Sequence, residues 1–298
     1  MATSRSTPSM RDIGTSQDEE RNLRRQLAKA HYYAVAKRQR FVGASFAIVL
    51  ALGSPLVLLY RPSLGPLLGA IAGAWIFVSR LVLEPWKQRF QAKGAAAQEL
   101  FDCDVLGLPW NDALVVQPSE EEIRSASKTL VKPRMIEKHR GWYPAQVEID
   151  WPKSVITCQR ANAVWARRQH RGYGIALLIA ASGWGIAGIA VAVIHGAALA
   201  EYLTTIALPS LPAMLDAAEL SKGHMQASTK RQMLEDETNS LLGTSQVSNE
   251  SLREIQDQLF GLRRDAPIVA GWFYRMVAAE YEEDMKYAAE MKAYGKGP

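Results

Sequence analysis

Four long apolar runs constrain this chain more than any other feature of its sequence. They cover residues 41–60, 64–83, 173–195 and 197–215, and the only charge within the second run is Arg80. At about 1.5 Å per residue, a helix of roughly 20 residues matches a hydrocarbon core about 30 Å thick. Backbone groups in lipid must be hydrogen-bonded within their own segment, which favours helices. The pattern therefore predicts an all-α membrane protein with four transmembrane helices.

The short links between these runs predict that the helices form two hairpins. Residues 61–63 join the first pair, and the second pair meets around Gly196. Each long flank carries basic residues beside the membrane, and such flanks stay on the cytoplasmic side. The basic residues are Lys37, Arg38, Arg40, Lys87, Arg89, Lys93, Arg167, Arg168, Arg171, Lys222, Lys230 and Arg231. We therefore expect a multi-pass protein with both termini and the middle region in the cytoplasm.

The segments outside the membrane are predicted to be mostly helical. Residues 1–15 show no periodicity and are predicted to be a disordered tail. A capping box at Ser16–Glu19 then starts a helix that runs into the first hairpin, so residues 16–84 form one region. The other predicted regions are a cytoplasmic middle region at 85–171, the second hairpin at 172–216 and a C-terminal helical region at 217–298. Further helix starts are predicted at Ser119, Asp150 and Ser251.

Enzyme and metal-site motifs are missing from the sequence. The five histidines are scattered, and there is no nucleophile elbow, HExxH motif, phosphate-binding loop or paired-carboxylate motif. Cys103 and Cys158 belong to no CxxC pair, so neither a disulfide nor a metal site is predicted. We therefore expect a protein that is not an enzyme, with no catalytic residue, cofactor or metal.

A glycine pattern in the third run allows two interpretations. Gly183, Gly185 and Gly188 fit the GxGxxG pattern of dinucleotide sites, but that site requires a preceding strand. Small residues also allow transmembrane helices to approach closely. We interpret this run as a helix-packing surface. The same interpretation applies to three glycines of the second run, Gly65, Gly69 and Gly73.

The middle region contains the residue types that a nucleotide ligand requires. Aromatic side chains provide stacking planes, and guanidinium groups bind phosphates in a forked geometry. Arg140 and Arg160 are predicted phosphate donors, with Trp142 or Tyr143 as a stacking plane. The full candidate ligand-binding set is Trp110, Arg124, Arg140, Trp142, Tyr143 and Arg160. The alternative is structural, because a helical domain also needs aromatic residues in its core and turns.

The fourth run carries a polar, acidic stripe. On a helix that turns about 100° per residue, its members share one face. Such a stripe usually faces a bundle interior or a water path. The predicted pore-lining residues are Glu201, Thr205, Pro212 and Asp216, with Glu219 on the same face. In the alternative interpretation, Glu201 and Asp216 only mark the two membrane interfaces.

Several short motifs recur in an arrangement typical of one family. They are FDCDVLGLPWN at 101–111, GWYP at 141–144, CQRANAVW at 158–165, and QDQLFGLRR followed by WFY within 256–274. Together with the two hairpins, they resemble the SMODS-associated four-transmembrane effector family. The resemblance implies a pore-forming effector of bacterial anti-phage (CBASS) systems in the inner membrane. It also implies a cyclic oligonucleotide as the activating ligand.

Two functional hypotheses follow. In the first, cytoplasmic helices bind the cyclic oligonucleotide and open a pore in the lipid bilayer. Because four helices in one protomer make a poor channel, this hypothesis includes a homo-oligomer. In the second, the protein is a membrane-anchored scaffold or sensor whose cytoplasmic helices bind a protein partner. Neither includes DNA or RNA, because the basic residues crowd beside the apolar runs rather than forming a separate patch.

Overall fold

The computed structural model describes residues 7–143, 148–244 and 247–277. Within these ranges every regular element is helical, which confirms the predicted all-α class. The helices are α1 (Met10–Ser16), α2 (Glu20–Tyr60), α3 (Gly65–Val78), α4 (Glu84–Val105), α5 (Glu120–Ser127), α6 (Pro133–His139), α7 (Lys153–Ile194), α8 (Leu199–Tyr202), α9 (Leu208–Leu242) and α10 (Asn249–Asp265). Residues 271–277 are also helical.

Three helical stretches among the described residues are long and apolar enough to cross a membrane. They are Glu20–Leu58, Pro62–Val105 and Lys153–Ile194. Pro62–Val105 contains the second predicted segment, and Glu20–Leu58 and Lys153–Ile194 cover the first and third except for residues 59–60 and 195. All three extend well beyond the predicted segments, as predicted for α2. The fourth predicted segment, 197–215, is largely helical but is not among them. It contains Glu201, Ser210 and a pair of threonines, which make it less apolar than the others.

A short π-helix interrupts the second and fourth predicted segments. The π-helices span Ser79–Leu83 and Leu203–Ala207. After one intervening residue, each is followed by a proline, Pro85 or Pro209. Proline lacks an N–H and its ring collides with the carbonyl four residues earlier. Widening the helix by one residue relieves that collision without ending the helix. Near Pro209 the fourth segment therefore widens by one π-turn and continues as a helix.

The chain divides into two compact units. The first, here called the polar unit, comprises residues up to Val35, Phe90–Gln169 and the chain from Ala227. Its main core joins α1, the end of α4, the turn that ends at Tyr143, the start of α7 and the start of α10. The buried members include Met10, Ile13, Phe101, Val105, Leu106, Leu108, Tyr143, Val155, Ile156, Cys158 and Leu252.

Helix α1 corrects the predicted disordered tail. Residues 1–6 lie outside the described ranges, but residues 10–16 form a helix whose Met10 and Ile13 are buried. Ser9 and Asp12 form its capping box, in which each side chain bonds the other residue's backbone N–H. The apolar residues of this short helix are only two, too few to show periodicity in the sequence. Burial against the core stabilises the helix instead.

Two predicted helix starts are displaced for similar local reasons. Helix α2 begins at Glu20 and not at the Ser16 capping box, because the chain first turns through residues 17–19. Helix α10 is capped by Ser248, whose side chain accepts the N–H of Ser251, the residue predicted to be the cap. The capping box at Ser119 is confirmed, with Glu122 as its partner.

The second unit, here called the apolar unit, comprises Ala36–Arg89 and His170–Gln226. Large apolar side chains on its surface are widely exposed, including Phe41 at 71%, Phe77 at 69% and Ile194 at 79%. A water-soluble protein rarely exposes contiguous apolar surface of this kind, whereas a lipid-facing surface requires it.

Glycines in the apolar unit confirm part of the predicted helix packing. A Cβ atom at Gly188 would lie 3.1 Å from Ile206, and one at Gly185 would lie 3.4 Å from Met214, so both approach the fourth segment closely. A Cβ at Gly183, Gly69 or Gly73 would meet no described atom within 4 Å. For these last three the close-packing interpretation is wrong within the described chain.

Candidate functional site

A buried ionic cluster connects α4 to α10 in the polar unit. Asp102 is fully buried and accepts hydrogen bonds from Arg263 and from the side chain of Gln256. Gln256 also donates to Glu99, which pairs with Arg253. We call Glu99, Asp102, Arg253, Gln256 and Arg263 the ionic core. Two carboxylates and two guanidinium groups balance in charge, which a buried polar network requires.

Asp102 keeps Arg263 firmly charged despite its burial. Burial by itself lowers the pKa of the guanidinium, but Asp102, Tyr143 and Glu99 outweigh that effect, so the pKa lies above its ordinary value. Arg263 therefore stays charged, and its bond to Asp102 acts as a structural connection between α10 and α4.

Tyr143 joins the ionic core to a surface turn. Its hydroxyl donates to Asp102 at 2.7 Å and accepts from Asn162 of α7 at 2.9 Å, while its ring stacks on Phe101. Burial, followed by the neighbouring Asp102, raises the pKa of Tyr143 well above its ordinary value. With only 2% of the residue exposed, Tyr143 cannot serve as the stacking plane predicted from the sequence. The predicted role is wrong because the ring fills the core.

The connection between α1 and α2 is hydrogen-bonded to the same turn. Gln17 both donates to the Tyr143 carbonyl and accepts from its N–H, at 3.2 and 2.6 Å. Asp18 accepts from the N–H of Gly141 at 3.0 Å. Between these two anchors lies Trp142, which is 37% exposed and has the ammonium of Lys29 over its ring at 3.6 Å. The turn thus holds one aromatic ring at the surface beside a cation.

A cleft of about 200 Å³ lies beside this turn. Arg140 and Arg24 line it together with Asp18 and Glu20, and α2 and α6 provide its apolar floor. The lining residues are Asp18, Glu20, Leu23, Arg24, Leu27, Val131, Ile136 and Arg140. Burial and the nearby Lys29 and Lys138 lower the pKa of His139, against an opposing hydrogen bond to the Met135 carbonyl. The surroundings of His139 are therefore already positively charged.

The structure brings together only part of the predicted ligand-binding set. Arg140 and Trp142 share the turn beside the cleft. Arg160 bonds Asn239 at 2.7 Å and approaches Glu235 at 3.5 Å, so acceptors from α9 already occupy its guanidinium. Trp110 is partly buried and donates its indole N–H to the Val115 carbonyl, and Arg124 is exposed on α5. For Arg160 and Trp110 the structural alternative describes the observed contacts.

Two acidic residues of the stripe in the fourth segment form ion pairs in the apolar unit. Asp216 pairs with Arg40 at 2.8 Å, and Glu219 pairs with Arg80. Pro212 is buried, so it faces other helices and not an open path.

The N-terminal part of the stripe differs. Glu201 is exposed and makes no ion pair with any residue in the described ranges, and Thr205 donates back to the Glu201 carbonyl at 2.6 Å. Of the predicted pore-lining acids, only Glu201 therefore has a carboxylate without an ion-pair partner among the described residues.

Two histidines that are far apart in sequence meet in the apolar unit. The Nδ1 atoms of His170 and His224 lie 2.8 Å apart, and Tyr173 packs its edge against His224. No group of three potential metal ligands is found among the residues that the structure describes. The pair is consistent with a satisfied internal hydrogen bond.

Comparison with known proteins gives this arrangement its context. The model of the SMODS-associating 4TM effector domain matches residues 11–292. The chain belongs to this family. Over 282 residues it is 26% identical to a probable CBASS effector molecule of Bacillus cereus strain VD146, an alignment that covers 90% of this chain and 94% of the relative. No solved structure matches the chain.

Membership of the SMODS-associating 4TM effector family makes this chain a membrane protein with an effector domain. The motifs that carry the resemblance converge on one place in the fold. Asp102 lies in the FDCD motif, Tyr143 in GWYP, Asn162 in the CQRANAVW motif, and Gln256 and Arg263 in QDQLFGLRR. The motifs thus meet around the ionic core and the turn that borders the cleft.

Sequence reasoning missed the ionic core and the hydrogen bonds of Gln17 and Asp18 to the turn. One signal was present, because Arg253, Gln256 and Arg263 share a face of a helix, as do Glu99 and Asp102. Charged residues on one face usually indicate a solvated surface, so this spacing alone does not predict burial. Gln17 and Asp18 carried no signal, because their partners lie more than 120 positions away, with separations of 126 and 123 residues.

Proposed function

We propose that this chain is a membrane effector of bacterial anti-phage defence that a cyclic oligonucleotide activates. In this proposal the ligand binds beside the turn at Arg140 and Trp142, and the activated protein permeabilises the inner membrane as a homo-oligomer. No catalytic step is involved. Support comes from the family, from the relative described as a probable CBASS effector, and from a cleft lined by Arg24 and Arg140 beside a turn whose exposed Trp142 has Lys29 over its ring.

The observation that carries the proposal is the continuity from the cleft to the long helices. The turn that presents Trp142 ends at Tyr143, whose hydroxyl contacts α4 through Asp102 and α7 through Asn162. Helices α4 and α7 each contribute residues to both units. A ligand that binds the turn differently in two states would therefore shift the equilibrium between two arrangements of these helices.

The decisive experiment is dye release from liposomes of Escherichia coli polar lipids that contain the full-length protein. A panel of cyclic di- and trinucleotides should include at least one that triggers release. The double variant Arg140→Gln/Trp142→Ala should lose both binding and release, whereas Arg264→Gln, which changes a guanidinium paired with the adjacent Asp265, should retain both. If no member of the panel triggers release from wild-type liposomes, the proposal is wrong.

One observation favours the membrane-anchored scaffold as a second candidate. Arg40 and Arg80 neutralise Asp216 and Glu219, so most of the acidic stripe is engaged in ion pairs that an anchor could use for stability alone. In that case cyclic nucleotides would cause no release, and the purified protein would instead retain a protein partner through its polar unit.

A further inference from the structure

The carboxylate of Asp18 lies where an anionic ligand would bind. One oxygen accepts the Gly141 N–H at 3.0 Å, and the other lies 4.0 Å from Nη1 of Arg140. Gly141 has a φ of 60°, in the left-handed region that favours glycine, and this conformation presents its N–H to the connection between α1 and α2. A backbone N–H next to a guanidinium is a set of donors that suits carboxylate and phosphate alike.

The contact between Asp18 and Arg140 is a loose one. At 4.0 Å it is longer than a direct hydrogen bond, and the two side chains are 31% and 46% exposed. An exposed ion pair of this kind contributes little to stability. A phosphodiester that made direct, charge-assisted bonds to Arg140 and Gly141 would therefore compete well with Asp18.

The surroundings provide what the rest of a nucleotide would need. Trp142 is 37% exposed, with Lys29 of α2 over its ring, and the exposed Lys138 lies two residues before Arg140. An indole face stacks a base with little regard to its identity. The charge of Lys138 attracts a second phosphate of a cyclic ligand.

We propose that Asp18 occupies a phosphate subsite, formed by the Gly141 N–H and Arg140, and that a phosphodiester of the ligand displaces it. This inference rests on the proposed function, because it names the group of the cyclic oligonucleotide that is recognised. Displacement frees the connection at residues 17–19 from one of its two anchors on the turn, while Gln17 keeps the other on Tyr143. Ligand binding and a change at the turn are thereby coupled.

The variant Asp18→Asn tests the displacement directly. Asparagine keeps an oxygen that can accept the Gly141 N–H but removes the competing charge. Full-length protein in nanodiscs should bind fluorescently labelled cyclic dinucleotide probes roughly fivefold more tightly in this variant, because it no longer holds a negative charge on the Gly141 N–H that the phosphate has to take over. Circular dichroism establishes that the variant keeps its helical content.

A matched control separates this subsite from general electrostatics. Glu137 also approaches Arg140, at 3.5 Å, but it does not contact Gly141. The variant Glu137→Gln removes the same charge and should change the affinity by less than about twofold, as expected for an exposed residue outside the subsite. Arg140→Gln should weaken binding in the wild type and cancel the gain from Asp18→Asn in the double variant, because both act on one contact.

The outcomes distinguish the subsite from the function on which it rests. If the wild type binds a probe and releases dye but Asp18→Asn binds no more tightly, or if Glu137→Gln gains as much, the subsite is wrong and the gating function stands. If the wild type binds no member of the cyclic di- and trinucleotide panel, both proposals fail. The subsite is supported if Asp18→Asn binds more tightly, Glu137→Gln does not, and Arg140→Gln removes the gain in the double variant.

Discussion

Tyr143 and Asp102, which are 41 positions apart in the chain, share a buried hydrogen bond of 2.7 Å. One partner ends a surface turn and the other lies at the centre of the ionic core. The bond connects the turn beside the cleft to α4, because Arg140 and Trp142 lie in the same turn as Tyr143. In the proposed function, signalling from the cleft and the stability of the polar unit depend on the same hydroxyl group.

Replacing Tyr143 with phenylalanine should destabilise the protein and weaken the coupling between ligand binding and dye release. Asp102 and Asn162 would each lose a partner, which should cost about 2 kcal/mol of the free energy of unfolding. Ligand-triggered dye release should fall more than ligand affinity does. Thermal unfolding in detergent, followed by tryptophan fluorescence, measures the first effect. The control Asn162→Ala leaves the bond to Asp102 intact and should cost less; an equal loss in both variants would contradict this account.

Replacing Arg263 with methionine should destabilise the polar unit severely. Asp102 would remain buried without its guanidinium partner, and breaking a buried pair on one side costs about 3–5 kcal/mol. The neighbouring Arg264 contacts only the exposed Asp265 among the salt bridges of the described chain, so Arg264→Met should stay within about 0.5 kcal/mol of the wild type. Adding Asp102→Asn to Arg263→Met should recover part of the loss in the same unfolding assay. A double variant that is less stable than Arg263→Met would argue against the pairing.

His139 should make the polar unit less stable in mild acid. Its pKa is lowered in the fold by burial and by Lys29 and Lys138, so the unfolded chain binds a proton more readily than the folded chain. The stabilising contribution is therefore present above the ordinary value of 6.5 and is lost as the pH falls below it. His139→Gln, which cannot titrate, should lose less stability than the wild type between about pH 8 and pH 5.5. Identical pH profiles of the melting temperature would show that His139 does not contribute.

Glu201 should control ion preference if the fourth segment lines a pore. Its carboxylate is exposed, whereas that of Asp216 is paired with Arg40. Rings of unneutralised carboxylates favour cations, so Glu201→Gln should reduce cation preference in planar-bilayer recordings and leave ligand binding unchanged. Asp216→Asn should instead leave Arg40 without its partner and lower the stability of the apolar unit. Thr205→Leu should reduce conductance by making the path apolar. Unaltered selectivity in Glu201→Gln would show that this segment lines no pore.

The class of the protein and its long helices could be predicted from the sequence. Hydrophobic burial in a bilayer depends on a contiguous run of residues, so the runs at 41–60, 64–83 and 173–195 identify membrane helices without knowledge of any partner. The continuation of α2 and α7 before those runs is equally local, because residues 20–40 and 153–172 contain no proline.

The candidate site was decided by tertiary structure. Arg140 and Arg160 carry the same chemistry in sequence, yet Arg160 meets Glu235 and Asn239 while Arg140 lines a cleft. Tyr143 and Trp142 are adjacent aromatic residues, yet one ring is buried and the other is exposed. The reason is physical: burial and charge pairing depend on segments far apart in the chain, and a residue's own neighbours in sequence do not determine which distant helix it meets. The sequence by itself determined a helical membrane protein, and only the packing of α2, α4, α7 and α10 determined which of its charges remain available to a ligand.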